Sequence, residues 1–363
     1  MKKLLCVLSG MNVGGAETFL MKIFRTLDRE KYSLDFCVNN KENFYAPEIE
    51  SLGGKIYVIP SKSENLKEFR KGLAAVVRDG GYRYVMRITS SAMGLMDLKI
   101  AKSAGAEVLA ARSSNSGDGK GIKAYMAHRI GKILYGRYAR VKLAPSDLAA
   151  IYTFGKRAYD KGEVTIIKNA VDTSVYKFDT TAREKLRNEF GVGDELLVCH
   201  VGRFSTQKNH AFLLDVFGRI KQDKPDAKLM LVGKGELEKE IRDKAASLGF
   251  ADSVIFTGVR TDIPAILSAA DVFVFPSFYE GMPNTVIEAE STGLKCVVSD
   301  AVTKEADITG LVKFLPLSDS PEVWAKEAVG IDKERKSQAE AFRLAGYDIK
   351  SATDEFVRAI FGE

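Results

Sequence analysis

The 363-residue chain is poor in cysteine and histidine and contains no long apolar segment. Its four cysteines are scattered, with no CxxC pair or metal-like spacing, so we expect reduced, buried thiols in a cytoplasmic protein. No apolar run reaches the roughly 18 residues that a membrane-spanning helix needs. The apolar run at the N-terminus covers only Leu4 to Leu8 before glycines follow, which favours a first strand over a signal peptide.

The composition, 45% hydrophobic and 28% charged, is typical of a soluble globular protein, and the length predicts two domains. Charge is unevenly distributed between them. Residues 1–172 hold 29 Lys and Arg against 17 Asp and Glu, whereas the remaining residues hold 25 against 31. The basic first half predicts an anionic partner. Nucleic acid is not expected, because no aromatic-basic binding motif accompanies the charge.

Apolar runs alternate with helical patterns along most of the chain, which predicts α/β domains with doubly wound parallel sheets. The predicted strands of the first half are residues 2–9, 34–38, 55–59, 84–88, 107–111, 141–144 and 164–167. Those of the second half are residues 196–201, 228–232, 254–257, 272–275 and 295–299. We place the domain junction just after Asp172.

One stretch in the second half combines a strand, a loop and a helix. Val272 to Phe275 is predicted to be a buried strand that Pro276 ends, and Asn284 is predicted to cap a helix that runs to Ser291. A loop and helix start of this kind suit a phosphate, because their backbone N–H groups are unpaired. Glu280 and Glu288 beside it suit sugar hydroxyls. A plain turn with two surface glutamates is the alternative.

A second candidate for phosphate binding follows the strand that ends at Val201. Arg203 and Lys208 lie there, and two cations at the C-terminal end of a strand can stabilise a diphosphate leaving group without a metal. No Asp-x-Asp motif follows a strand, so no metal site is expected. The alternative is a solvated basic turn.

These motifs resemble those of the retaining family-4 glycosyltransferases, which have the GT-B fold. Glu280 and Glu288, with seven residues between them, match the donor-site signature, and the surrounding EGMPNTVIEA is close to the usual sequence of this motif. Residues 10–17 resemble the family's first glycine loop, although a plain tight turn is also possible. Residues 168–172 resemble its NGVD linker, with alanine for glycine. The resemblance implies two Rossmann-like domains facing across a cleft. The N-terminal acceptor-side domain is residues 1–172, with the helix at 346–363 crossing back to it, and the donor-binding domain is residues 173–345.

The resemblance also implies roles for single residues. Arg203 and Lys208 would bind the donor diphosphate and Glu280 would face the transferred sugar, and these three are the predicted catalytic residues. Glu288 would bind the ribose hydroxyls. The other predicted donor-binding positions are Gly15, Gly202, Gly233, Val259, Met282, Pro283, Asn284 and Thr285.

The acceptor side departs from the family pattern. The predicted acceptor-side residues are Gly14, Arg112, Ser114 and Asn115, with Asp118 as a further possibility. Ser114 stands where many relatives carry a histidine, which weakens any histidine-based mechanism here. The sequence of residues 1–172 contains one histidine, His128, which lies on a predicted helix. A leaving phosphate oxygen could instead take the proton of the acceptor.

Residues 121–142 carry several Lys and Arg and no Asp or Glu, interleaved with apolar side chains. Laid on a helix, much of the apolar set falls on one stripe. Such a helix either contacts an anionic membrane surface or packs on the core with a solvated basic face. A lipid-linked acceptor would account for the first possibility.

We therefore predict a retaining, metal-independent enzyme that transfers a hexose from a nucleotide sugar, with a UDP-sugar as the expected donor, to a glycan or lipid-linked acceptor in cell-surface polysaccharide synthesis. It would need no cofactor and would be cytoplasmic, with possible peripheral contact at the inner face of the membrane. A sugar-nucleotide binding protein with impaired catalysis and a non-hydrolysing sugar-nucleotide epimerase are the alternatives.

Overall fold

The structure is a computed structural model that describes residues 1–12, 14–114, 121–280, 282–330 and 334–363. The chain divides into two compact units. Unit 1 comprises Met1–Ala170 and Ile349–Glu363, and unit 2 comprises Val171–Asp348. The first unit boundary lies between Ala170 and Val171, and the last helix belongs to unit 1.

Unit 1 is built on a seven-stranded parallel sheet. Its strands are β1 (Lys2–Val7), β2 (Tyr32–Val38), β3 (Ile56–Val58), β4 (Tyr84–Thr89), β5 (Val108–Ser113), β6 (Val141–Ala144) and β7 (Val164–Ile166), in the order β3-β2-β1-β4-β5-β6-β7. Its helices are α1 (Gly15–Thr26), α2 (Ala46–Ser51), α3 (Leu66–Asp79), α4 (Met96–Ser103), α5 (Ile122–Tyr135), α6 (Asp147–Phe154) and α7 (Lys156–Asp160).

Both faces of this sheet are covered, which explains why most residues of its strands are apolar. Leu4 and Cys6 of β1 join the core on one face, and Leu5 and Val7 join the core on the other. The C-terminal helix packs into the first of these cores, where its Phe356 meets Phe19 of α1 with the ring centroids 6.4 Å apart.

Unit 2 is built on a six-stranded parallel sheet in the order β10-β9-β8-β11-β12-β13. Its strands are β8 (Leu197–Val201), β9 (Lys228–Val232), β10 (Val254–Gly258), β11 (Val272–Phe275), β12 (Cys296–Ser299) and β13 (Val312–Leu315). Its helices are α8 (Thr180–Glu189), α9 (His210–Asp223), α10 (Glu238–Ser247), α11 (Ile263–Ala269), α12 (Asn284–Ser291), α13 (Pro321–Val329) and α14 (Ala339–Leu344); α15 (Ile349–Phe361) returns to unit 1.

Two local predictions need correction. Asn284 does not cap α12 but is its first residue, because Pro283 occupies the cap position in extended backbone. Residues 121–142 are not one helix: α5 ends at Tyr135, a single 3-10 turn follows, and Val141 and Lys142 belong to β6.

All four cysteines are unpaired and buried, as expected from their scattered positions in or beside strands. Burial raises the pKa of the Cys37 and Cys199 thiols to about 12, so these groups stay protonated at neutral pH. Of the helices that the structure describes, none combines the length and the apolar composition needed to cross a bilayer.

Candidate donor site and acceptor-side residues

The predicted donor residues of unit 2 follow the C-terminal ends of neighbouring strands. Gly202 and Arg203 come after β8, Gly233 after β9, Val259 after β10 and Glu280 after β11. Because the strands are parallel, all of these ends lie at one edge of the sheet, where open α/β sheets bind ligands.

Glycine lets two of these strand ends approach each other closely. Gly233 has φ +138°, and a Cβ atom there would lie 2.2 Å from the carbonyl oxygen of Gly202. The Gly202 N–H donates to Val232 O, and the Gly233 N–H donates to Gly258 O. The three strand ends are thereby joined into one continuous surface of backbone, and side chains are excluded from Gly233.

Lys208 and Glu280, 72 residues apart in the chain, form an ion pair on this surface. Lys208 Nζ lies 2.6 Å from Glu280 Oε1, and the side chains are only 17% and 13% exposed. The same ammonium lies 4.4 Å from the centroid of the Phe275 ring. Gln207 Nε2 donates to Tyr279 O over 2.8 Å, so the loops after β8 and β11 are tied together beside the pair.

Arg203 is placed differently from Lys208. Its side chain is 73% exposed and pairs with Glu236, at 3.1 Å between Arg203 Nη2 and Glu236 Oε2. An exposed pair of this kind contributes little, about 0–1 kcal/mol, and exchanges partners readily. Glu236 was not predicted, since only the fold brings the loop after β9 to Arg203.

Helix α12 carries the remaining donor residues. Met282 and Pro283 precede it, Asn284 and Thr285 form its first turn, and Glu288 is buried one turn further on, at 6% exposure. Gly281 lies outside the described residues. Met282 packs with Ile287 and Tyr347 in a small apolar cluster, which fixes the start of the helix.

Glu290, which sequence reasoning missed, fixes the far end of α12. It is fully buried and accepts hydrogen bonds from the Ile308 and Thr309 N–H groups and from Thr309 Oγ1. Burial raises the pKa of Glu290 to about 7, although these hydrogen bonds oppose the shift. A backbone bridge also pairs Glu280 with Val302. The segment after β12 therefore contacts both Glu280 and the helix that bears Glu288.

Several aromatic rings pack near the Lys208 side chain. His200 stacks on Phe275, with ring centroids 5.3 Å apart, and His210 stacks on Phe204, at 4.3 Å. Burial, and secondarily the charge of Lys208, lowers the pKa of His210 to about 4. Burial likewise holds the pKa of His200 well below its usual value. Both imidazoles are therefore neutral at pH 7. His210 is the first residue of α9.

The predicted site residues of unit 1 lie in two places. Gly14, predicted for the acceptor side, precedes α1 in extended backbone, and Gly15, predicted for the donor side, is the first residue of that helix. Arg112 is the penultimate residue of β5, and the Ser114 N–H just beyond it donates to Thr89 O. Asn115 and Asp118 lie outside the described residues.

His128 has a structural role in this fold. It is buried on α5, its Nδ1 accepts from the Ala92 N–H over 3.1 Å, and its Nε2 lies 3.0 Å from Tyr152 O. Both ring nitrogens are thus engaged in holding α5 to its neighbours. Proton transfer by this residue would break one of those contacts.

The apolar side chains of α5 point away from the core of unit 1. Six of them are 42% to 82% exposed: Ile122, Tyr125, Met126, Ile130, Ile133 and Leu134. We call this set the α5 apolar face. Lys123 and Arg129 are exposed on the same helix. The alternative of a core-packed helix with only its basic face in solvent is therefore wrong.

Within the part of the chain that the structure describes, no three His, Cys, Asp or Glu side chains are grouped as metal ligands would be.

Solved structures of similar fold cover both units. HepE of Anabaena, solved in complex with UDP and glucose, aligns over 100% of both chains with a TM-score of 0.80 and 20% identity. WaaG, a glycosyltransferase involved in lipopolysaccharide biosynthesis, aligns over 99% of this chain and 100% of its own, with a TM-score of 0.73 and 14% identity. These likenesses confirm the predicted GT-B fold.

Sequence comparison goes further than the fold. Residues 195–331 match the family described as "Glycosyl transferases group 1". EpsF of Bacillus subtilis (strain 168), which is named as a glycosyltransferase, is 32% identical over 360 residues, or 96% of this chain and 93% of EpsF. An Escherichia coli galactosyltransferase is 35% identical over 153 residues, which cover 39% of this chain and 38% of that enzyme. The predicted enzyme class is confirmed, and the chain belongs to the group 1 glycosyltransferases.

Proposed function

We propose that the protein is a retaining, metal-independent hexosyltransferase that uses a UDP-sugar and a glycan or lipid-linked acceptor in cell-surface polysaccharide synthesis. The observation that carries the proposal is the Lys208–Glu280 pair, which sets a cation and an acid side by side at the ligand-binding edge of unit 2. The names of relatives support the substrates. The Escherichia coli relative is a UDP-Gal:alpha-D-GlcNAc-diphosphoundecaprenol alpha-1,3-galactosyltransferase, and a Rhizobium meliloti relative is a lipopolysaccharide core mannosyltransferase.

In the proposed site, Lys208 binds the donor diphosphate and Arg203 leaves Glu236 to join it. The buried Glu288 accepts hydrogen bonds from the ribose, and Glu280 binds the transferred sugar. The bond from the anomeric carbon to the diphosphate oxygen breaks as the acceptor oxygen bonds to that carbon on the same face, and the acceptor proton passes to the leaving diphosphate. Lys208 and Arg203 stabilise the developing negative charge, which is worth about 3–4 kcal/mol for each donor of this kind. No cofactor takes part.

The proposal assigns the donor side to residues 173–345, with backbone contacts from Gly202, Gly233 and the 282–285 segment. It assigns the acceptor side to residues 1–172 with 346–363. The charge asymmetry agrees with this division, because the basic half would receive a phosphate-bearing acceptor.

UDP binding measured by calorimetry tests the donor site. Lys208→Ala and Glu288→Ala should each weaken UDP binding about tenfold or more, because each removes a charge-assisted hydrogen bond worth about 1.5–3 kcal/mol. Lys239→Ala is the matched control, since Lys239 is 89% exposed on α10 and pairs only with a neighbour on that helix. If all three variants bind UDP as the wild type does, the donor site is elsewhere.

We further propose that the α5 apolar face docks the enzyme peripherally on an anionic membrane. Six exposed apolar side chains flanked by Lys123 and Arg129 match a bilayer interface in both polarity and charge. Vesicles containing phosphatidylglycerol should capture the protein at low salt, and phosphatidylcholine vesicles should not.

Ile133→Gln with Leu134→Gln should release the protein from these vesicles, whereas Val175→Gln, which changes an exposed apolar residue of unit 2, should not. If instead the wild type is a dimer that the double variant separates, the α5 apolar face is a self-association surface and the membrane proposal is wrong.

A binding protein with impaired catalysis is the second candidate, because Ser114 replaces the family histidine and His128 is structural. Release of UDP from a UDP-sugar in the presence of membrane-derived lipid acceptor separates it from the transferase. Conversion of the UDP-sugar without any acceptor would identify the epimerase instead.

A further inference from the structure

Arg112 is a buried cation without an acidic partner in the described part of unit 1. Its residue exposure is 1%, and it ranks among the largest fully buried side chains. Its Nη2 donates to Asn169 Oδ1 over 2.8 Å, and its guanidinium carbon lies 3.6 Å from the centroid of the Phe19 ring. Its Nε atom is buried without an acceptor.

The charge is not neutralised by its surroundings. Burial alone lowers the pKa of Arg112 to about 9, and this value still leaves the guanidinium protonated at neutral pH. A neutral amide and an aromatic ring compensate only part of the lost hydration, because buried charges are normally paired. A purely structural residue here could be apolar at lower cost.

Three other arginines with limited exposure show the usual solution. Arg183 and Arg187 contact the Asp271 carboxylate, and Arg335 donates to three carbonyl oxygens. Among the described residues Arg112 has a single hydrogen-bond acceptor. Its buried, unsatisfied Nε donor therefore marks it as a position prepared for an anion rather than as a core contact.

The position of Arg112 agrees with a ligand site. It lies at the C-terminal end of β5, in the middle of a parallel sheet, and such strand ends are where α/β sheets bind ligands. His128 of α5 accepts a hydrogen bond from the Ala92 N–H, just beyond the end of β4, and β4 pairs with β5. Helix α5, which carries the exposed apolar face, therefore packs beside the same edge of the sheet.

We propose that Arg112 binds a phosphate or diphosphate group of the acceptor, which takes the place of the Asn169 amide on the guanidinium. The inference rests on the proposed transferase function and adds the chemical class of its acceptor. A phosphate oxygen pair matches the fork of donors on arginine better than one amide oxygen does. The donor diphosphate is bound in unit 2, so a phosphate at Arg112 comes from the second substrate.

Inorganic pyrophosphate tests this site when UDP is present at saturation, since UDP then fills the donor site. Calorimetry should show pyrophosphate binding to the wild type, at least tenfold weaker binding to Arg112→Met and an intermediate affinity for Arg112→Lys. Arg78→Met is the control, because Arg78 is 68% exposed on α3, and it should bind as the wild type does. UDP affinity should be the same in all four proteins.

The melting temperature gives a second readout, because a purely structural role of Arg112 predicts the opposite change. Without ligand, Arg112→Met should melt at the same temperature as the wild type or higher, since methionine removes an unpaired buried charge. Pyrophosphate should raise the melting temperature of the wild type only. Arg112→Gln serves as a second neutral variant if the methionine variant does not fold.

Three results would overturn the proposal: no pyrophosphate binding to the UDP-saturated wild type, unchanged pyrophosphate binding in the neutral variants, or a loss of UDP affinity in them. The last result would assign Arg112 to the donor. If Lys208→Ala leaves UDP affinity unchanged while Arg112→Met removes pyrophosphate binding, the proposed donor site fails and the anion site at Arg112 stands.

Discussion

Replacing Glu280 by glutamine should strengthen UDP binding while it weakens sugar transfer. Without ligand, the Glu280 carboxylate holds Lys208 at 2.6 Å, so a diphosphate must compete with it for the ammonium. Glutamine keeps the shape and one oxygen acceptor but removes the charge. The nucleotide then binds a lysine that has no carboxylate beside it.

The size of the effect follows from the burial of the pair. Its side chains are 17% and 13% exposed, which lies between surface pairs worth about 0.2–1 kcal/mol and buried pairs whose disruption costs about 3–5 kcal/mol. We therefore expect a gain of about 1–2 kcal/mol in UDP binding, or roughly tenfold in Kd. The unliganded variant should lose a similar amount of stability, because Lys208 loses its partner.

Calorimetry with UDP, beside transfer assays with the UDP-sugar, gives both quantities for Glu280→Gln and for Lys208→Met. The lysine variant should lose UDP affinity, so the two changes move Kd in opposite directions. Weaker UDP binding in Glu280→Gln would refute this reasoning, because it would mean that the acid supports the nucleotide rather than competing with it.

Three further outcomes follow from the structure. Because the pKa of Glu290 is raised to about 7 in the folded protein, this residue stabilises the fold fully below pH 4.5, and its contribution is lost as the pH rises through about 7. In denaturant titrations, the free energy of unfolding of the wild type relative to Glu290→Gln should therefore fall by about 3 kcal/mol between pH 4.5 and 8. Gly233→Ala should destabilise unit 2 by about 1–3 kcal/mol and weaken UDP binding, since its Cβ atom would meet Gly202 O; unchanged melting and Kd would contradict this. Asp271→Asn should cost about 3–5 kcal/mol in chemical denaturation because it leaves Arg187 unpaired, and a loss under 1 kcal/mol would show that the pair is dispensable.

Most strands of both sheets were predictable because both of their faces are covered and most of their residues are therefore apolar. Val141–Ala144, Lys228–Val232 and Val272–Phe275 have the bounds that the sequence predicted. Strand β13 was missed, since its Lys313 is exposed and Phe314 only half-buried, so the segment lacks a continuous apolar signal.

The candidate site was predictable as a sheet edge but not as a set of contacts. The sequence places Lys208 after β8 and Glu280 after β11, yet only the sheet order makes these strands neighbours and only the fold shows that the two side chains meet. The Arg203–Glu236 pair joins two loops whose relation depends on sheet order, and no periodicity reports it. The direction of the α5 apolar face was equally hidden, because an amphipathic pattern is the same whether its apolar side meets a core or a membrane.

In the proposed donor site, the neutral rings near Lys208 would leave this cation available for a diphosphate. A second cation below the lysine would repel it, and a carboxylate there would neutralise it. The ligand could not displace such a carboxylate, which would therefore compete with the phosphate for the ammonium. His200, His210 and Phe275 fill that space with rings that carry no charge at pH 7, so within the described part of the chain Lys208 pairs with the Glu280 carboxylate alone, at the side where the sugar would bind. Water is excluded from that side of the ammonium, so the local dielectric is low and the field of the ammonium at the phosphate is stronger. The competition between Glu280 and the diphosphate for one lysine thus becomes a means of coupling the two halves of the donor: a nucleotide that draws Lys208 away releases Glu280 to accept hydroxyl groups of the sugar.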